Sequence, residues 1–84
     1  MKVIVIGSHL CPDTLEALSK LTTAGVEYEF KNVLGSHEEL KAYLNLRDTS
    51  DLYAEIRGTD RLGVPCFICE DGETTMDLDT VLNK

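Results

Sequence analysis

The sequence lacks tryptophan, has only eight basic residues and contains no long apolar run. The N-terminal apolar run, Val3–Ile6, is far shorter than the ~20 apolar residues that cross a bilayer, and it is too short for the core of a signal peptide. We therefore expect no membrane association and a cytoplasmic location. The 15 acidic residues bring the formal net charge to −7. Because phosphate contacts need clustered Lys and Arg, this charge excludes nucleic acid as a partner.

Cysteine is also scarce, and its odd count excludes a complete set of internal disulfides. The three cysteines are Cys11, Cys66 and Cys69. With no secretion signal we expect a reducing compartment, in which a thiol is reactive, bound to a metal or part of the packing. The 84 residues and a hydrophobic fraction of 43% indicate a single folded domain over residues 1–84.

The hydrophobic pattern predicts an α/β domain with a mixed four-stranded sheet flanked by helices. Lys2–Ile6 is typical of a central strand that is buried on both faces. An amphipathic helix follows over Thr14–Ala24, and its apolar face is predicted to carry Leu15, Leu18 and Leu21. The remaining elements are a strand over 26–31, a helix capped at Ser36, a short helix over 50–57, a strand over 64–69, a strand over 73–75 and a last helix that contains residues 78–82. The predicted order is β-α-β-α-(α)-β-β-α.

Cys11 lies at the junction between the first strand and the first helix. Pro12 suits the first helical position, because its fixed φ favours a helix and its missing N–H needs no partner there. Cys11 is then the N-cap, and we expect its sulfur to accept the N–H groups of Asp13 and Thr14, which favours the thiolate. The Thr14 hydroxyl and a protonated His9 would add to this effect, whereas the Asp13 carboxylate opposes it. The alternative is that Cys11 is a buried packing residue.

Four short motifs follow one another along the chain. They are Val3–Gly7 leading into Cys11-Pro12, Gly63-Val64-Pro65 before a strand, the turn Asp71-Gly72, and Thr75-Met76-Asp77 at the start of the last helix. In this order they resemble the glutaredoxin family, and they cover nearly the whole chain. The resemblance implies a thioredoxin-like fold, in which Pro65 forms a cis peptide beside Cys11, and the activity of a thiol–disulfide oxidoreductase.

The resemblance also implies a substrate site. In such proteins the backbone of the residue before the cis-proline, here Val64, pairs with the cysteine backbone of glutathione. The start of the last helix, here Met76 and Asp77, meets the γ-glutamyl end. Arg61 is the best remaining cation for a ligand, and its alternative role is that of a solvated surface residue. The implied partners are proteins joined to glutathione or a similar thiol by a mixed disulfide, and we expect a monomer.

Two residues depart from the family's pattern. Dithiol members carry a second cysteine three residues after the first, where this chain has Thr14, and the site is therefore predicted to be monothiol. In that mechanism the small thiol transfers to Cys11, and a second small thiol regenerates the enzyme by exchange. The basic residue that is frequent three positions before the cysteine is Ser8 here. Its loss removes a carboxylate anchor and leaves another low-molecular-weight thiol open as the co-substrate.

The other two cysteines and the histidines are predicted to have no role in a metal site. Cys66 and Cys69 lie three residues apart in a predicted strand, so their side chains point to opposite faces. Packing is the expected role of both, and a resolving role of Cys66 toward Cys11 is the alternative. His9 and His37 form no zinc-binding spacing with the cysteines, and we expect no metal.

Two other functions remain open, and a third is excluded. A low-molecular-weight phosphatase needs an arginine at the position of Ala17, which excludes that activity. Monothiol relatives can hold a [2Fe-2S] cluster between two subunits, but they usually have glycine where this chain has Pro12. The remaining alternative is a degenerate redox fold that acts only as an interaction module.

Overall fold

The computed structural model describes residues 2–84 and contains one four-stranded sheet of order β2-β1-β3-β4. Its elements are β1 (Lys2–Gly7), α1 (Pro12–Thr23), β2 (Glu27–Asn32), α2 (His37–Thr49), a 3-10 turn (Asp51–Tyr53), β3 (Cys66–Ile68), β4 (Thr74–Thr75) and α3 (Leu78–Leu82). The β1–β2 pair is parallel, and the β1–β3 and β3–β4 pairs are antiparallel. The predicted α/β class and mixed four-stranded sheet are confirmed. No helix formed by residues 2–84 has the length and apolar character needed to cross a bilayer.

The central strand β1 separates two apolar clusters. Val3 and Val5 belong to one cluster, and Ile4 and Ile6 pack on the other, because successive side chains of a strand point to opposite faces. The first cluster also contains residues of α1 and α3, and the second contains residues of α2 and the 3-10 turn. Helices therefore cover both faces of the sheet, and the prediction of a central strand buried on both faces is confirmed.

Gly7 ends β1 at a point where Thr14 of α1 packs tightly against it. A Cβ atom at Gly7 would lie 2.6 Å from both Cγ2 and Oγ1 of Thr14, so a larger residue does not fit. Thr14 itself is fully buried. This close contact holds the start of α1, and with it Cys11, at the C-terminal end of the central strand.

Two elements are shorter than predicted. The strand expected over 64–69 is reduced to β3, because Pro65 has no N–H to contribute to a ladder. The helix expected over 50–57 is a single 3-10 turn. After this turn the carbonyl groups of Ile56 and Thr59 accept hydrogen bonds from the Arg47 guanidinium at 3.2 and 3.1 Å. Backbone turns continue as far as Thr59, whose N–H donates to the Ile56 carbonyl at 3.1 Å, but they form no regular helix.

The buried face of α1 is rotated relative to the prediction. Leu21 is fully buried, but Leu15 is 50% exposed; the buried residues are Thr14, Ala17 and Leu21. A spacing of three residues falls short of the 3.6 residues in a helical turn, so Leu15, Leu18 and Leu21 drift around the helix axis. Thr14, Ala17 and Leu21 combine spacings of three and four residues, which keeps them on one face.

These positions predict different costs for two leucine truncations within α1. We expect Leu21→Ala to lower the free energy of unfolding by about 3 kcal/mol, because it opens a cavity in the core. Leu15→Ala is the matched control and should change it by less than about 0.5 kcal/mol, since the side chain is half-exposed. Urea denaturation followed by circular dichroism measures both values. Equal losses for the two variants would contradict the observed orientation of α1.

Candidate active site around Cys11

A cavity of about 630 Å³ opens beside Cys11, between α1, the segment before β3 and the start of α3. It brings together six residues that the sequence singled out, which are Cys11, Arg61, Val64, Pro65, Met76 and Asp77. These residues come from three separate parts of the chain, so the fold is what assembles them. Pro12 and Thr14 do not line the cavity.

Cys11 is the N-cap of α1, as predicted, and Pro12 takes the first helical position. The Cys11 N–H donates to the Ser8 carbonyl at 3.0 Å, which closes the turn between β1 and α1. The Cys11 side chain makes no capping hydrogen bond, so the bonds expected from the N–H groups of Asp13 and Thr14 to the sulfur are not formed. Sulfur is a weaker acceptor than the oxygen of the usual capping residues. The half-buried Cys11 side chain lines the cavity instead.

The Thr14 hydroxyl and the His9 ring are engaged elsewhere, in contrast to the expectation that they contact the sulfur. Thr14 Oγ1 accepts the N–H of Ser8 at 3.3 Å, within the buried contact that α1 makes with β1. The His9 ring nitrogen Nδ1 lies 2.8 Å from the side-chain nitrogen of Asn32. Both side chains therefore stabilise the β1–α1 connection and its neighbour β2.

Ser8 occupies the position at which the resemblance leads one to look for a basic residue. It is 4% exposed, and its hydroxyl accepts the N–H of Leu10 at 3.1 Å. The residue is thus part of the turn that positions Cys11. It contributes no charge to the cavity.

Three side chains hold the backbone just before Val64, and we call Tyr43, Arg47 and Tyr53 the carbonyl clamp. They donate to the carbonyl groups of three consecutive residues, 61–63. Arg47 donates to the first at 3.3 Å, Tyr43 to the second, and Tyr53 to the third at 2.8 Å. Because these donors lie on α2 and the 3-10 turn, one face of the fold positions a segment that has no regular structure of its own.

Gly63 is required at the end of this clamped segment. Its φ is +72°, and a Cβ atom there would lie 2.6 Å from Cε2 of Tyr53 and 2.7 Å from Cδ1 of Ile56. A larger residue would meet both a strained backbone conformation and two buried side chains. The glycine therefore lets the chain pass directly over the clamp and enter the cavity wall.

Val64 lines the cavity, and its main-chain groups are free. Within residues 2–84, neither its N–H nor its C=O has a hydrogen-bond partner in the fold, and the following peptide bond to Pro65 is cis. Val64 is half-buried, and its backbone groups need partners once a ligand excludes water from them. A ligand with an amide backbone could supply both, in the manner of a strand added to a sheet.

Cys66 and Cys69 lie on opposite sides of the sheet, as predicted. The Cys66 side chain is buried in the cluster beneath α2 and does not line the cavity. The Cys69 side chain is buried in the cluster beneath α1 and α3. Both thiols are free, and burial raises their pKa. Both are packing residues. No group of three or more potential metal ligands was found in the part of the chain that the structure describes.

Comparison with known proteins places the chain beside one relative. No family model matches the sequence. A protein of Haemophilus influenzae, described as uncharacterized, is 30% identical over 77 residues, which cover 92% of this chain and 90% of that protein. The chain belongs to the same family as this Haemophilus protein. The similarity extends over nearly the full length of both proteins, and the relative's description contains no activity that bears on Cys11.

The different burial of the thiols predicts selective alkylation. In the folded protein we expect iodoacetamide to modify Cys11 alone at neutral pH, because Cys66 and Cys69 are buried and their raised pKa keeps them protonated. All three should react in denaturant. Intact mass measurement with peptide mapping identifies the modified residues. Modification of Cys66 at the same rate as Cys11 in the folded state would contradict the site described here.

The carbonyl clamp predicts a stabilising role for one hydroxyl group. Tyr53→Phe should lower the free energy of unfolding by about 1 kcal/mol, since it leaves a carbonyl of the clamped segment without its donor. Tyr28→Phe, in a half-buried tyrosine of β2, removes the same atom elsewhere and is the matched control. Chemical denaturation measures both, and equal effects would argue against the clamp.

The same hydroxyl predicts how stability depends on alkaline pH. Burial raises the pKa of Tyr53 above the value of an unfolded tyrosine, which is about 10. Its contribution is therefore fully present below that pH and is lost as the pH rises toward the higher pKa of the folded state. Tyr53→Phe should reduce the fall in stability above pH ~10. An unchanged pH profile in the variant would rule out this source of the fall.

Proposed function

We propose that this protein is a glutaredoxin-like thiol–disulfide oxidoreductase of the thioredoxin-like fold that uses Cys11 in a monothiol mechanism. The observation that carries the proposal is the cavity shared by Cys11 and the unpaired main-chain groups of Val64. A nucleophilic sulfur beside a free N–H and C=O suits a disulfide in which one half resembles a peptide. The mixed sheet with a central β1 and helices on both faces supports the choice of fold.

The proposed reaction is an exchange of one disulfide for another in two steps. The Cys11 thiolate attacks the small-thiol sulfur of a protein mixed disulfide. The Cys11–sulfur bond forms as the old S–S bond breaks, and the target protein leaves as a thiolate that takes a proton from water. A second small thiolate then attacks the disulfide on Cys11, which releases a small-molecule disulfide and the Cys11 thiolate. The transferred thiol stays at the disulfide level throughout, and the second small thiol is the reductant, because its sulfur enters the disulfide that is released.

The cavity walls offer contacts to glutathione or another low-molecular-weight thiol as the co-substrate. The main chain of Val64 would pair with the backbone of the thiol's cysteine, beside Pro65. Met76 and Asp77 would meet the opposite end of the ligand. The Asp77 carboxylate is already oriented, because it accepts the N–H of Asp79 at 3.1 Å, and it suits an ammonium group.

The positions of the remaining cysteines favour regeneration by a second small thiol. Thr14 takes the place of a resolving cysteine and is buried against Gly7. Cys66 and Cys69 belong to separate apolar clusters. An internal disulfide with Cys11 would require one of these clusters to open, which argues for a monothiol cycle.

The proposal predicts that exchange depends on Cys11 alone. With bis(2-hydroxyethyl) disulfide as substrate and glutathione as reductant, we expect turnover to fall to the rate of the protein-free control in Cys11→Ser. Cys69→Ser is the matched variant and should retain turnover, since Cys69 is buried in the core and does not line the cavity. A coupled assay of glutathione disulfide formation measures both rates.

Two results would count against the proposal. The first is a wild-type protein that is no faster than the protein-free control with either glutathione or the positively charged thiol cysteamine as reductant, which would favour an interaction module. The second is a coloured, dimeric protein whose visible absorption disappears in Cys11→Ser, which would favour a cluster carrier. An absorption spectrum of the purified protein and size-exclusion chromatography distinguish the second result.

A further inference from the structure

The cavity beside Cys11 has more acidic than basic groups on its walls. Its charged lining residues are Asp13, Glu16, Lys20, Arg61, Asp77 and Asp79. Four carboxylates therefore accompany two cations around the nucleophile. The formal charge of the whole chain is −7, so the field of the rest of the protein adds to this excess.

Lys20 forms an ion pair with another residue of the cavity wall. Its ammonium lies 3.0 Å from Oε1 of Glu16, one turn earlier in α1. The hydrogen bond from Lys20 to Glu16 is the main cause of its raised pKa, and the charge of Asp79 on the opposite wall contributes as well. The positive charge of Lys20 is therefore offset by the negative charge of Glu16 in the net charge of the cavity wall.

The charges that remain unpaired in the cavity are mostly negative. Within residues 2–84 no ion pair involves Asp13, Asp77 or Arg61. Asp13 projects from the first turn of α1, two residues after Cys11, and Asp77 caps α3 on the other side of the cavity. A positively charged ligand would meet these two carboxylates and that of Asp79, which also has no ion pair within residues 2–84, whereas a negatively charged ligand would find Arg61 as the unpaired cation of the lining.

We propose that the Cys11 site selects disulfides whose transferred thiol carries an ammonium group, and that it discriminates against thiols of net negative charge. This inference rests on the proposed thiol–disulfide function and specifies its substrate class. Asp13 and Asp77 are the specificity-determining residues, because they flank the nucleophile without a cation of their own. Ser8 is buried and carries no charge, so it does not offset the excess of carboxylates in the cavity.

The chemical step is the same for every substrate in this class. The Cys11 thiolate forms a bond to one sulfur of R–S–S–R, the S–S bond breaks, and the other half leaves as R–S⁻. No net oxidation occurs, since one disulfide replaces another. Only the charge on R changes between substrates, which makes the electrostatic contribution measurable by itself.

Three small disulfides of similar size test the proposal directly. Cystamine carries two ammonium groups, bis(2-hydroxyethyl) disulfide is uncharged, and 3,3′-dithiodipropionate carries two carboxylates. The rate at which each modifies Cys11 is followed by mass spectrometry under single-turnover conditions. Each rate is divided by the rate of free 2-mercaptoethanol with the same disulfide, because leaving groups differ in intrinsic reactivity.

We expect the normalised rate with cystamine to exceed that with 3,3′-dithiodipropionate by about ten-fold at low ionic strength. The ratio should approach one at 1 M salt, where the Debye length is only about 3 Å. Asp13→Asn and Asp77→Asn should each lower the ratio, and asparagine keeps the capping function of Asp77. Asp48→Asn, on the exposed side of α2, removes the same charge away from the cavity and should leave the ratio unchanged.

The outcomes separate this inference from the function on which it rests. Equal normalised rates for the three disulfides, at low salt, would overturn the charge selection while leaving the exchange activity intact. A loss of selectivity in Asp48→Asn as large as in Asp13→Asn would assign the effect to net charge and would also overturn it. If none of the three disulfides modifies Cys11, the proposed thiol–disulfide function itself fails.

Discussion

The carbonyl clamp is the interaction on which the candidate site depends. The segment between the 3-10 turn and β3 has no ladder or helix to satisfy its backbone, and fixing each of its residues costs about 1–2 kcal/mol of conformational entropy. Side chains of α2 and the 3-10 turn provide the missing donors to residues 61–63. The clamp leaves the next residue, Val64, without partners. A structural element that contributes no cavity residue thus determines where the cavity's main-chain groups lie.

The clamp also explains why two tyrosines are buried in so small a core. Tyr43 and Tyr53 pack edge to face with their ring centroids 6.2 Å apart, so the aromatic rings fill the cluster beneath α2 while their hydroxyls reach the loop. A buried hydroxyl needs a partner, and the loop carbonyls need donors. The tyrosine hydroxyls donate to the loop carbonyls, so both sets of groups have partners. Within residues 2–84 no buried side-chain nitrogen or oxygen lacks a partner.

The sequence predicted the features that repeat or have a known local chemistry. A continuous run of β-branched residues predicted β1, the two-residue period of a strand predicted the opposite orientations of Cys66 and Cys69, and the Cys-Pro pair predicted the start of α1. The face of α1 was predicted incorrectly because three leucines were weighted above Thr14 and Ala17, which fit the helical period better. The sulfur contacts were overestimated because capping rules describe oxygen acceptors. The candidate ligand contacts of Val64 and Asp77 came from the family resemblance, since no local pattern distinguishes them.

The clamp itself has no signal in the sequence. Its donors and acceptors are 10 to 19 residues apart, and bonds from side chains to irregular backbone follow no period that a pattern could reveal. The ion pair between Lys20 and Glu16 can be predicted from the sequence, because Glu16 precedes Lys20 by one helical turn. The period of the helix does not predict how α1 is placed against the sheet. That placement depends on the close contact between Gly7 and Thr14.

The residues that hold the site in place differ from those that set its charge, and this determines how its specificity can change. The nucleophile and the main chain of Val64 are held by buried contacts, which tolerate few substitutions. Asp13 and Asp77 lie on exposed positions at the starts of two helices, where a change of charge has little effect on packing. The charge of the accepted thiol can therefore be altered at these two positions while the geometry around Cys11 stays the same. Binding preference and stability are separable in this fold because the groups responsible for them lie on different elements.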